Sequence, residues 1–265
     1  MDTFFYKHPV FRLDEIIQWK RSNGIIISTA KNLLAYYLKQ GRIVSIKRGL
    51  YAVVSPDESI DDLMVDPYLV AGKASDQGAL GYHTALELHG VAYSSFEHFY
   101  FVTSEKIRRF QFQGRSYQAV TPPSSLADDD IEVIIVNRQG VDVRVTSIER
   151  TFVDMLDRIE LSGGWGEVLR SVGRIGVLDI DRIVTYCLLM NKSILSAKVG
   201  YVLEQRLGVF APTDDQLKLL QNNKPRRPIY VSVAKGKPSK LCRKWNIMLP
   251  PGVYRKVWEE PDYDV

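Results

Sequence analysis

Cysteine is scarce in this sequence of 265 residues: there are two, Cys187 and Cys242. That excludes a disulfide-held scaffold, and their separation fits no local metal-binding motif. Histidine is sparse too, with four residues, few for chemistry that relies on imidazole. No segment approaches the roughly 18 consecutive apolar residues of a membrane-spanning helix. The first twenty residues include Lys7, His8, Arg12, Asp14 and Glu15 without an unbroken apolar stretch. No signal peptide is therefore expected, and a reducing cytoplasm is the expected location. Acid is missing altogether from Lys218 to Lys256, where eleven Lys/Arg occur. What is present, 45% apolar and 25% charged residues, is the composition of a folded, water-soluble protein.

The net charge of +4 hides a segregation. Residues 1–50 carry nine Lys/Arg against three Asp/Glu, and residues 51–217 carry fifteen against twenty-four. After the acid-free stretch come Glu259, Glu260, Asp262 and Asp264. Two basic regions flanking an acidic middle point to a polyanionic partner.

The spacing of Leu13, Ile16, Ile17 and Lys20 predicts a helix from about Leu13 to Arg21, with Asp14 and Glu15 in its first turn and Asn23-Gly24 as its stop. Ile25–Ile27 reads as a short link, and Ser28 or Thr29 as the cap of a second helix running to Lys39. In that helix Ala30, Leu33, Leu34, Tyr37 and Leu38 form an apolar stripe, leaving Lys31, Asn32, Ala35, Tyr36 and Lys39 facing outward. The period then changes to two, predicting strands Arg42–Ile46 and Leu50–Val54 around a Lys47-Arg48-Gly49 turn. This is the order of a winged helix-turn-helix module over residues 1–55, although the short helix that normally precedes the recognition helix is not visible. A helix with a polar, basic outer face fits a major groove, and a hairpin tipped by Lys47 and Arg48 reaches phosphates. Arg42 belongs to the same candidate surface. Tyr51 is expected to pack against the second helix.

SPDESIDD at residues 55–62 reads as a linker. From 60 to 265 the pattern predicts one larger α/β domain with a mostly antiparallel sheet, giving an α+β chain overall. Helices are expected at Pro67–Ser75, Tyr82–Leu88, Glu149–Arg158 behind a Thr146 or Ser147 cap, Gly166–Val172, Asp181–Met190, Ser196–Leu207 closed by Gly208, and Asp214–Gln221. Strands are expected at His98–Lys106, Phe110–Phe112, Arg115–Val120, Ile131–Val136, Val141–Val145, Ile229–Ala234 and Asn246–Leu249.

Chemistry-bearing motifs are few. There is no Walker loop, GxGxxG, HExxH or GxSxG, and no glutamate is followed by lysine two positions on. His83 and Glu87 are four apart and within reach of one another on a helix. Gly163-Gly164 and Asp179-Ile180-Asp181 imitate the glycine turn and paired carboxylates of a nucleotidyltransferase, but Asp179 or Asp181 also suits a helix cap. Neither a cofactor nor a metal is expected, and no catalytic activity. The acid-free segment offers Lys224, Arg226, Arg227, Lys235, Lys237, Lys240, Arg243 and Lys244 beside Tyr230 and Trp245, either a second nucleic-acid surface or a solvated basic face.

The stretches IVSIKRGLYAVV (Ile43–Val54), GYHTALELHG (Gly81–Gly90), VTSIERTFVDML (Val145–Leu156) and GGWGEVL (Gly163–Leu169), in this order, resemble the AbiEi-type antitoxins of bacterial abortive-infection, type IV toxin–antitoxin systems. The resemblance covers roughly residues 10–210. It implies a cytoplasmic antitoxin and autorepressor, in antiviral defence, whose winged module binds inverted repeats in its own double-stranded promoter DNA. It further implies a second domain that counteracts a nucleotidyltransferase toxin without forming a stable complex. A homodimer, or monomers bound cooperatively, would match a palindromic operator. By this likeness Lys47 and Arg48 are wing contacts, and Lys31, Asn32, Tyr36 and Lys39 belong to the recognition helix. The long basic end departs from the usual pattern. Two other readings stay open: an RNA- or protein-binding adaptor, and a divergent nucleotidyltransferase or nuclease using Asp179 and Asp181.

Overall fold

The computed structural model of the chain describes residues 2–24, 30–123, 126, 130–231 and 238–254. The architecture is α+β. It begins with α1 (Asp2–Lys7), β1 (Val10–Arg12), α2 (Leu13–Ser22), α3 (Ala30–Lys39), β2 (Ile43–Lys47) and β3 (Leu50–Val53). The three strands form an antiparallel sheet in the order β1-β3-β2, with Val10 opposite Ala52 and Ile43 opposite Val53. Helix, strand, two helices and a hairpin closed by the first strand make a winged-helix-like element. The helix missing from the sequence reading is thus supplied from in front: α2 and α3 are its second and third helices, and α1 is the first.

Local chemistry sets these boundaries. The Arg12 amide donates to Glu15 Oε2 at 2.7 Å, satisfying one free N–H at the start of α2. Gly24, at φ +69°, follows its end, and Gly49, at φ +83°, closes the wing turn. The core joins Phe4, Phe5, Phe11, Ile16, Leu34 and Ile43. Tyr51 stacks on Phe11, 5.6 Å between ring centres, and packs against the core to which Leu34 of α3 belongs. The Ile25–Ile27 link and the Ser28/Thr29 cap lie outside the described residues.

A six-stranded sheet follows, formed by β4 (Ala79–Leu80), β5 (His98–Val102), β6 (Phe110–Phe112), β7 (Arg115–Val120), β8 (Val133–Arg138) and β9 (Val141–Thr146), in the order β6-β7-β5-β4-β9-β8. It is a mixed sheet, with both antiparallel and parallel pairs. β5 runs parallel to β7, with His98 beside Ser116, and β4 parallel to β9, with Leu80 beside Val145. The first parallel pair arises because β6 takes the outer edge, antiparallel to β7, and so returns β7 in the direction of β5. Helix α4 (Pro67–Lys73), capped by Asp66 accepting from the Tyr68 amide at 2.9 Å, precedes this sheet.

By compactness the chain divides into two units. The first comprises residues up to Leu80, Glu97–Thr121 and Ile134–Val145, so the boundary expected at 55–60 falls inside it. Four contacts converge on the end of α4 and the turn after it. Lys47 Nζ donates to the Ala74 carbonyl at 2.9 Å, and Lys73 Nζ pairs with Glu15 at 2.5 Å. The Arg12 guanidinium donates to the Ser75 carbonyl at 3.2 Å and pairs with Asp76. The winged element and the six-stranded sheet are therefore one packed body.

The second unit comprises Gly81–Phe96, Pro122–Val133 and Thr146 onward. It holds α5 (Tyr82–Leu88), α6 (Ile148–Asp157), a 3₁₀ turn (Ile159–Ser162), α7 (Gly164–Arg174), α8 (Ile180–Leu189), α9 (Ser193–Gln205), α10 (Leu207–Phe210), α11 (Asp214–Asn222), β10 (Ile229–Tyr230), β11 (Lys240–Cys242), β12 (Ile247–Leu249) and α12 (Pro251–Tyr254). Phe152, Leu156, Ile183, Leu195, Val199 and Leu203 centre its core, joined by Trp245 and Ile247. Gly208 lies inside α10 rather than closing the preceding helix. Among the described residues no helix is long and apolar enough to cross a membrane.

Candidate nucleic-acid interface

Helix α3 turns Leu34 into the core and leaves Asn32, Ala35, Tyr36 and Lys39 exposed. Asn32, Tyr36 and Lys39 stand at i, i+4 and i+7, which stacks them along one face. Tyr36 is 56% exposed and meets Tyr37 edge-on at 5.5 Å. Arg42 is exposed just beyond α3, its guanidinium 5.4 Å from the Tyr37 ring centre. The backbone of Lys31 lies in α3, and its side chain is outside the described part.

The two wing cations part company. Arg48 is exposed at the tip. Lys47 is half-buried: beside its bond to Ala74, its ammonium stands 4.9 Å from the Phe110 ring centre, and burial lowers its pKa. Lys47 fastens the wing to the rest of its unit, whereas Arg48 stands exposed at the tip. Sequence carries no signal for this, because the partner is a backbone carbonyl 27 positions away.

In the second unit the acid-free segment also divides. Trp245 is not a surface aromatic; it is fully buried, with Nε1 donating to Glu204 Oε2 at 2.6 Å. Lys244 pairs with the same glutamate, and Lys224 Nζ donates to the Lys244 carbonyl at 2.6 Å. Arg226, Arg227, Lys240 and Arg243 are exposed, and Lys235 and Lys237 lie outside the described residues.

The residues considered for catalysis take structural positions. Asp179 Oδ1 accepts from the Arg182 amide at 3.2 Å as the cap of α8, and Asp181 accepts from Gln216 Nε2 at 2.6 Å. They border a hollow of about 230 Å³ that Glu132 and Arg182 also line. His83 is buried, stacked on Phe96 at 3.9 Å, with Nε2 3.2 Å from Glu167 and Nδ1 3.5 Å from Glu87. Glu167 also accepts from the Tyr93 and Ser94 amides, which pins the turn after α5. Arg150 and Asp154 pair at 3.2 Å, and Tyr186 Oη donates to Asp154 at 2.9 Å. Burial raises the Asp154 carboxyl, against the pull of Arg150. Among the described residues no three His, Cys, Asp or Glu side chains gather where they would hold a metal ion.

No family model matches the sequence, and no curated protein matches it. Among solved structures, the crystal structure of the RV2827C protein from Mycobacterium tuberculosis is similar, with a TM-score of 0.60 at 15% sequence identity, covering 90% of this chain and 85% of that one. The two share a fold.

Proposed function

We propose that the chain is a DNA-binding autorepressor and antitoxin of the AbiEi type. In this reading α3 enters the major groove of inverted repeats in its own promoter, and the second unit counteracts a nucleotidyltransferase toxin. One observation carries the DNA-binding part: a winged-helix-like element whose third helix exposes Asn32, Tyr36 and Lys39 on one face, with Arg42 and Arg48 also exposed. Lys39, Arg42 and Arg48 supply salt-dependent phosphate contacts, while Asn32 and Tyr36 reach base edges. Paired modules on a two-fold operator follow from half-site symmetry.

The test is binding of the full chain to duplex DNA from upstream of its own gene. The Lys39→Ala/Arg48→Ala variant is expected to bind all sequences more weakly and to lower the salt slope by about two, one per phosphate lost. Asn32→Ala is expected to change the ranking of operator variants instead. Equal binding by parent and both variants would sink the proposal. The antitoxin part is tested by co-expression with a nucleotidyltransferase toxin encoded next to the gene, where rescue of growth is expected.

A further inference from the structure

The three strands after α11 form a small sheet whose two faces differ. β10 runs parallel to β12 and β11 antiparallel to it, in the order β10-β12-β11. Ile247 and Leu249 of β12 are buried in the helical core. Side chains alternate along a strand, so Met248 turns to the opposite face. Its neighbours in register are Tyr230 on β10 and Leu241 on β11, which are 59% and 39% exposed. A tyrosine, a methionine and a leucine thus lie in one row across the outer face, about 10 Å from edge to edge.

Strand direction adds charge at one end of that row. β10 begins where β11 ends, which brings Arg226 and Arg227, just before β10, to the same end of the sheet as Arg243, just after β11. The end is tied shut: Asn246 Nδ2 donates to the Pro225 carbonyl at 2.9 Å, and Lys224 reaches the Lys244 carbonyl. All three arginines are exposed, and among the described residues none of them forms an ion pair. No acid occurs from Lys218 to Lys256 to neutralise them.

We propose that this face binds an unpaired segment of RNA, with Tyr230 stacking a base and Arg226, Arg227 and Arg243 holding the adjoining phosphates. An exposed aromatic on a sheet with cations at one end is complementary to a strand whose bases are free, whereas a duplex hides its base faces. Arginine forks suit phosphate oxygens. The site lies outside the winged element.

The test is fluorescence anisotropy of a labelled mixed-sequence single-stranded RNA of about 12 nucleotides, within the span of one small binding module, titrated with the full chain. Tyr230→Ala is expected to weaken binding about 5- to 100-fold, and Tyr230→Phe to restore it. Arg226→Ala/Arg227→Ala/Arg243→Ala is expected to weaken binding and flatten its salt dependence, while Lys39→Ala/Arg48→Ala leaves the RNA affinity unchanged. Should Tyr230→Ala fail to fold, Tyr230→Leu carries the same comparison. The proposal is overturned if Tyr230→Ala or Tyr230→Leu binds RNA as the parent does. It is equally overturned if RNA binding is lost with Lys39 and Arg48 alone, or if the face binds only a second copy of the chain or anionic vesicles.

Discussion

A Cβ on Gly200 would lie inside the van der Waals surface of the Trp245 indole, and four residues on, Glu204 accepts the indole N–H. One face of α9 is thus a seat for one side chain. Gly200→Ala is expected to destabilise the chain by about 1–3 kcal/mol through overpacking, read by urea denaturation. Gly163 has two reasons for being glycine: φ is +80°, and a Cβ would meet Phe96 at 2.7 Å. That explains the first glycine of GGWGEVL, whose Glu167 meets the His83 of GYHTALELHG. Glu132 gives a pH signature. Its hydrogen bond from Arg182 holds its pKa below the ordinary 4.5, so its stabilisation is present above that value and fades as pH falls through the depressed one. Melting midpoints of Glu132→Gln are expected to lie below the parent's at neutral pH and to converge with it below about pH 4.5.

Elements with strong local signals were legible in the sequence. α2, α3, the wing hairpin with Gly49, α5 and the Ser147-capped α6 lie within two residues of their expected ends. They share a clear period and a recognisable cap or glycine stop. α1 and β1 were not legible, because six and three residues give no measurable period. They form because Phe4 packs against Phe11 and Trp19 at 5.4 and 5.5 Å between ring centres, a tertiary cause. The parallel strand pairs were hidden for the same reason. On the wing, the exposed row on α3 follows from spacing, whereas the fate of Lys47 does not. Two neighbouring cations are consequently expected to behave oppositely. Lys47→Ala should lower stability by about 1 kcal/mol through loss of its bond to Ala74, whereas Arg48→Ala should leave the melting midpoint unchanged and weaken DNA binding. Paired thermal melts and mobility-shift titrations check both.

At the scale of the whole molecule, the contacts gathered at residues 73–76 join the winged element to a sheet made far along the chain. A fragment ending at residue 55 lacks Lys73, Ala74, Ser75 and Asp76, leaving Glu15 Oε1, the Lys47 ammonium and part of the Arg12 donor set without these partners. It is expected to show faster amide exchange throughout α2 and the wing than the same segment in the full chain, as hydrogen exchange followed by mass spectrometry would record. Equal protection would mean that the element is self-sufficient.

The first unit is threaded from three stretches of chain, with portions of the other unit lying between them. During synthesis, therefore, the amino-terminal body has to wait for Val145 to leave the ribosome before its last strand pairing closes. By then Gly81–Phe96 has already been released without the later helices that cover it. Maturation of the two halves is interlocked in time, and a nonsense codon anywhere before position 145 leaves neither of them whole.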